Sequence, residues 1–121
     1  MPMSPIRRVV TGHDSAGKAV VTADSVLDSK PNPTGSSLFT LVWTTATTPV
    51  DNDDPTDGRE RSVGLTLPGG SVLRVVDLLP RNCAPMHRTN SLDYGIVLNG
   101  AIELVLDDDD VTLVEAGCII I

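Results

Sequence analysis

His87 and Asp93 are the residues of this sequence best suited to chemistry. They stand six residues apart in the segment Arg81-Asn82-Cys83-Ala84-Pro85-Met86-His87-Arg88-Thr89-Asn90-Ser91-Leu92-Asp93. An imidazole and a carboxylate that both point into a barrel mouth would suit Fe, Mn, Ni or Zn, and the carboxylate would also suit a general base. Thr89 adds a hydroxyl oxygen as a weak ligand or substrate contact, Arg88 is a candidate contact for an anionic or hydroxylated substrate, and Tyr94 and Trp43 are candidate walls of a small-molecule pocket. Each has a plainer reading. A histidine near a turn is often simply hydrogen-bonded, polar loop residues are often only solvated, and Tyr94 and Trp43 are equally suited to a core. Cys83 and Cys118 read as packing residues, and His13, in an expected turn, reads as a surface residue with no role.

These residues need strands to hold them. Arg7 to Thr11 and Ala19 to Val26 are Val-rich runs around a segment with two glycines and Asp14, which predicts an N-terminal hairpin. Asp28 to Ser37, with two prolines and a glycine, predicts a loop, and Leu38 to Thr45 predicts a strand carrying Trp43. Ala46 to Arg61 is a long polar loop, of a length usually found in lids or disordered segments. Ser62 to Leu67 and Ser71 to Leu79 predict two strands joined through Pro68-Gly69-Gly70, and Pro80 stops the second. Leu92 to Leu98 and Ala101 to Leu106 predict a hairpin across Asn99-Gly100, followed by strands at Val111 to Val114 and Cys118 to Ile121. Recurrent short strands without a sustained helical period predict an all-β sandwich or barrel.

The spacing from Arg81 to Gly100 resembles the first motif of the cupin family, G-x5-H-x-H-x3,4-E-x6-G. His87 matches the first metal histidine, Asp93 stands at the glutamate, and Gly100 closes the motif, whereas Arg81 replaces the opening glycine and Thr89 the second histidine. Gly117 resembles the start of the second motif, G-x5-P-x-G-x2-H-x3-N, but its histidine would fall seven residues beyond Ile121. The resemblance, strongest from about Ser62 onward, implies a cupin-like β-barrel (double-stranded β-helix or jelly roll), expected to be incomplete at its C-terminus. It also implies a small single-domain protein of the fungal secondary-metabolism type, acting on a small organic molecule as a metal-dependent oxidoreductase. His87 and Asp93 would then be metal ligands and Asp93 the second ligand or general base. Two side chains leave most positions of a divalent ion to water, so Fe, Mn, Ni or Zn would be held weakly. The alternatives are a non-catalytic small-molecule binding or dimerisation module, or an inactive remnant of such an enzyme. Cupin relatives are often dimers, so the resemblance also implies a homodimer.

At 121 residues, one domain is expected: residues 1–61, an N-terminal hairpin, strand and loop region, packing on a cupin-like core of residues 62–121. Hydrophobic residues make up 40% and aromatics only 2%, so Val, Leu, Ile and Ala are expected to fill the interior. A formal charge of −7 argues against nucleic acid or an anionic membrane surface as partner, and the acidic clusters Asp51 to Asp54 and Asp107 to Asp110 read as solvated loops. Two cysteines without CxxC spacing, and a start at Met1 to Arg8 that is not a secretory segment, lead to the expectation of a soluble cytoplasmic protein.

Overall fold

The Val-rich runs near the N-terminus form the hairpin expected of them. In the computed structural model, which describes residues 5–121, β1 (Arg7–His13) pairs antiparallel with β2 (Ala19–Val26), with a bulge between Val10 and Thr11. Residues 1–4, the start of the N-terminal segment, lie outside the described residues. The reversal is built by Asp14, whose Oδ1 accepts from the Ala16 and Lys18 amides, both at 2.9 Å. An Asp that captures downstream amides in this way is a turn former by its own side chain.

The chain divides into two compact units, Met1–Cys83 and Ala84–Ile121. In the first, β3 (Lys30–Pro31), β4 (Ser37–Thr45) and β5 (Ser71–Leu78) form an antiparallel sheet with β4 in the middle. The predicted loop from Asp28 to Ser37 thus contains a two-residue edge strand. Proline is tolerated there because an edge strand leaves one side of its backbone unpaired. The centre of the sheet is polar: Thr40 and Thr44 are each 1% exposed. Both are satisfied, Thr40 by the Ser29 hydroxyl at 2.7 Å and Thr44 by donating to the Gly58 carbonyl. Buried hydroxyls cost little when bonded in this way.

The long loop after β4 is tied to the sheet and to β1. It is strapped down by three arginines. Arg8 on β1 makes a bidentate pair with Asp57 at 2.7 and 2.8 Å, and its guanidinium lies 5.8 Å from the centroid of the Trp43 ring. Arg59 Nε donates to the Leu41 carbonyl at 2.8 Å, and Arg61 joins the Thr44 carbonyl at 3.0 Å to Asp54 at 2.6 Å. Asp57 also caps the short 3-10 turn Gly58–Glu60, accepting from the Arg59 amide. The Arg8 hydrogen bonds hold the Asp57 carboxyl below the usual carboxylate range, against the opposing effect of burial. Trp43, half-buried under Arg8, is therefore part of this strap.

Two sequence expectations fail, each for a local reason. Ser62 to Leu67 is not a strand. Its Gly64 and Leu65 carbonyls accept from Arg74 Nη2 at 3.1 and 3.0 Å, so a side chain takes the acceptors that a neighbouring strand would need. Asn99-Gly100 is not the hairpin turn of the second unit either. There β6 (Gly95–Ile96) pairs with β9 (Ile119–Ile120), and β7 (Ala101–Val105) pairs with β8 (Val111–Glu115). Bonds from Val97 to Cys118 and from Gly117 to Val97 continue the first ladder towards the second. The result is one long ribbon, kinked at Asn99-Gly100 opposite Gly117, with φ of +75° at Gly100 and +93° at Gly117. The acidic run makes the turn instead, as a second 3-10 segment Asp107–Asp109 closed by the Leu106 amide on the Asp110 carbonyl at 2.8 Å.

That turn places Asp108 and Asp109 at φ +59° and +56°. An L residue in the left-handed region carries a penalty that glycine does not, and four adjacent carboxylates repel. Asp108→Gly is therefore expected to stabilise the chain by about 0.5 kcal/mol, read as a higher urea midpoint. An unchanged or lower midpoint would show that the Asp108 side chain contributes something the backbone argument omits.

The all-β class read from the sequence is the one found, and no barrel is closed by the strand pairings among the described residues. The expected apolar interior is thin: among the described residues, Leu27 and Val114 are the buried hydrophobic side chains. Small sheets with one open face leave their remaining Val, Leu and Ile half-covered, and Leu113 and Ile119 are 61% and 63% exposed. No helix among the described residues is long and apolar enough to cross a membrane.

Candidate functional site

The segment that joins β5 to β6 owes its irregular course to its prolines. Pro80 and Pro85 lack the amide protons that a ladder requires, and residues 82–89 take no regular structure. Arg81, which stands where the cupin motif opens on glycine, adopts φ +64°. The closing glycine of the motif, Gly100, is also left-handed, at +75°. Both ends of the motif thus have the backbone conformation for which glycine is the default residue, and Arg81 adopts it without that freedom.

Between these ends, His87 Nδ1 lies 2.8 Å from the Pro85 carbonyl oxygen. A carbonyl can only accept, so Nδ1 carries a proton, and the lone pair of the neutral ring is on Nε2. Metal-ligating and base-type histidines are commonly oriented by such a bond to a backbone carbonyl. Four residues on, Ser91 Oγ lies 3.0 Å from Thr89 Oγ1 and 2.7 Å from Asp93 Oδ1. This hydroxyl draws Thr89 and Asp93 together and leaves Asp93 Oδ2 for another partner.

His87, Arg88, Thr89, Asp93 and Tyr94 are all exposed, with Tyr94 at 72%. Tyr94 is therefore not the piece of core that its aromatic character also suited. Cys83, read as a packing residue, is exposed in the same irregular segment, where no sheet covers it, and Cys118 is half-buried. Ser91 was missed in the sequence. The signal was its place two residues before Asp93, the reach over which a hydroxyl and a carboxylate can bond across a turn.

The donor types suit a divalent ion: an imidazole with its lone pair on Nε2 and an oriented carboxylate. Their number does not close a site, since no three His, Cys, Asp or Glu side chains come together among the described residues. His87 is bonded to Pro85 and Asp93 to Ser91.

No family profile matches the chain. Among curated proteins, it is 41% identical over 118 residues to phomopsin biosynthesis cluster protein C' of Diaporthe leptostromiformis, covering 91% of this chain and 62% of that protein. It is 33% identical over 119 residues to the cupin-domain-containing oxidoreductase fogC of Aspergillus ruber, covering 95% and 59% respectively. The cupin-domain-containing oxidoreductase virC of Hypocrea virens is also 33% identical, over 123 residues, with coverage of 96% and 63%. The chain spans about three fifths of the length of these relatives.

Proposed function

Since this chain belongs to the cupin family, we propose that it works in fungal secondary metabolism on a small organic molecule, as part of an oxidoreductase. The names of its relatives support the setting and the reaction class. The observation that carries the site is the Pro85 carbonyl bond to His87 Nδ1 at 2.8 Å, which leaves Nε2 as a directed lone pair in a motif otherwise dominated by loop.

His87 Nε2 and the Asp93 carboxylate would hold a divalent ion, Fe, Mn, Ni or Zn, weakly and exchangeably. When bound, such an ion supplies polarisation of a substrate oxygen or activation of dioxygen. The chain's own residues do the rest. Ser91 fixes the Asp93 carboxylate through Oδ1, so that Oδ2 serves either as the second ligand or as the base that takes a proton from a substrate hydroxyl or acidic carbon. Thr89 offers its hydroxyl to the same substrate, and Arg88 and Tyr94 provide a cation and a phenol ring beside it.

Equilibrium dialysis against each of the four ions tests this reading. The native chain should take up more ion than His87→Ala, with uptake of the variant falling to that of Asp93→Asn. Equal uptake by all three would favour a second reading, a non-catalytic small-molecule binding module, which the absence of a three-ligand cluster among the described residues supports.

A further inference from the structure

The first unit contains a concave site of about 500 Å3 that has no part in the reading above. It lies on the sheet β3–β5 against the segment that follows the 3-10 turn, with Phe39, Leu41, Val63 and Leu65 as its apolar wall. Its size is within the about 300–1,000 Å3 typical of small-molecule sites. Three cations line it, Lys30, Arg59 and Arg74, against two carboxylates, Asp28 and Glu60. That excess is notable in a chain of net charge −7.

The two arginines differ from their neighbours in what they bond. Arg7, Arg8 and Arg61 are each in an ion pair with an aspartate. Arg59 and Arg74 make no ion pair among the described residues, and their hydrogen bonds go to backbone carbonyls: Leu41 and Asp28 for Arg59, Gly64 and Leu65 for Arg74. Carbonyl bonds fix a guanidinium in place without neutralising it. Both side chains are half-buried, which strengthens the attraction of their charge for an anion. Arg74 is held further by the Phe39 ring, 5.6 Å from its centroid. Among the described residues, its Nε and Nη1 make no hydrogen bond, and neither does Arg59 Nη1.

From this arrangement we propose that the cavity is a binding site for a small aromatic organic acid, its carboxylate on Arg59 and Arg74 and its ring against Leu41, Val63 and Leu65. Two guanidiniums pinned in advance recognise a carboxylate at low entropic cost. The apolar wall excludes a bare inorganic anion as the preferred occupant, because such an ion would gain nothing from it. The site is independent of His87, and the proposal does not rest on the role given to that residue.

The probe is 1-naphthoate, with 1-naphthamide as its uncharged counterpart, titrated into the full chain and followed by amide and methyl NMR shifts. Naphthoate should bind saturably, with shifts centred on Phe39, Leu41, Val63 and Leu65, and naphthamide about tenfold more weakly. Arg74→Met should weaken naphthoate about tenfold and leave naphthamide unchanged. Lys30→Gln, which changes an exposed side chain that makes no hydrogen bond among the described residues and leaves the backbone pairing of Lys30 with Phe39 in place, gives a second test should Arg74→Met fail to fold, with a loss of about threefold expected. Absence of saturable naphthoate binding, equal affinity for both probes, or a native affinity in the substituted chain would each overturn the proposal.

Discussion

Replacing Asp57 with alanine is expected to destabilise the first unit by about 3 kcal/mol, seen as a lower urea midpoint at unchanged slope. The figure takes the lower end of the range for breaking a buried pair because Asp57 is 33% exposed and partly screened, while Arg8 is only 9% exposed. The loss has three parts. Arg8 is left as an uncompensated charge, with its Nε already buried and unbonded. The 3-10 turn loses its cap from the Arg59 amide, and the loop of residues 46–61 loses its tie to β1. Asp57→Asn should keep part of the cap and lose less.

The same pair makes stability depend on pH. Arg8 depresses the Asp57 carboxyl below its ordinary 3.8, so in the acid range the unfolded chain binds the proton more readily than the folded one. The contribution is therefore complete above about pH 5 and is lost progressively as pH falls through the unfolded and then the lower folded value. Asp24, depressed by its hydrogen bonds to Arg7, and Asp54, depressed chiefly by Thr56, act in the same direction. Urea midpoints between pH 5 and pH 2 should fall steeply for the native chain and less steeply for Asp57→Asn. Parallel curves would show that the strap does not govern acid stability.

Gly58→Ala is the second large effect, again about 3 kcal/mol. A Cβ at Gly58 would overlap the Thr44 carbonyl and come within 2.6 Å of two Trp43 ring carbons. Neither neighbour can yield easily: one is the backbone of the central strand, and the other is a ring held under Arg8. The residue also supplies the carbonyl that satisfies the buried Thr44 hydroxyl, so a shift to relieve the clash would strand a polar group. Gly64→Ala is the control, since a Cβ there meets nothing within 4 Å. Urea unfolding of the two variants should separate them by most of the expected loss; similar midpoints would mean that the turn at Gly58 adapts.

What could be read in the sequence was local. The β1–β2 hairpin was legible because Asp14 and the flanking Val runs carry their own turn and strand chemistry within twenty residues. β4 was legible from Leu38 to Thr45 for the same reason. Ser62 to Leu67 has strand composition, yet its fate is decided by Arg74, ten residues away from Gly64, which no window of propensity weighs. Asn99-Gly100 misled because a glycine suited to φ > 0 serves a kink as well as a turn, while the true turn was hidden in a run of aspartates that read as solvent-facing loop.

The candidate site was half legible. His87 and Asp93 were singled out from motif spacing, and the backbone is left-handed at both Arg81 and Gly100, where the motif has glycine. Ser91 was overlooked because its role is a hydrogen bond and not a motif position. The anion cavity was invisible: Lys30, Arg59 and Arg74 come from three elements, and only the folded sheet brings them to one concave surface.

The most direct test of the His87 reading is paramagnetic broadening of backbone amides by sub-stoichiometric Mn2+, compared between the native chain and His87→Ala. Broadening is expected to centre on His87 to Asp93 and to vanish there in the variant. Broadening confined to the acidic runs Asp51 to Asp54 and Asp107 to Asp110, and unchanged by His87→Ala, would contradict it.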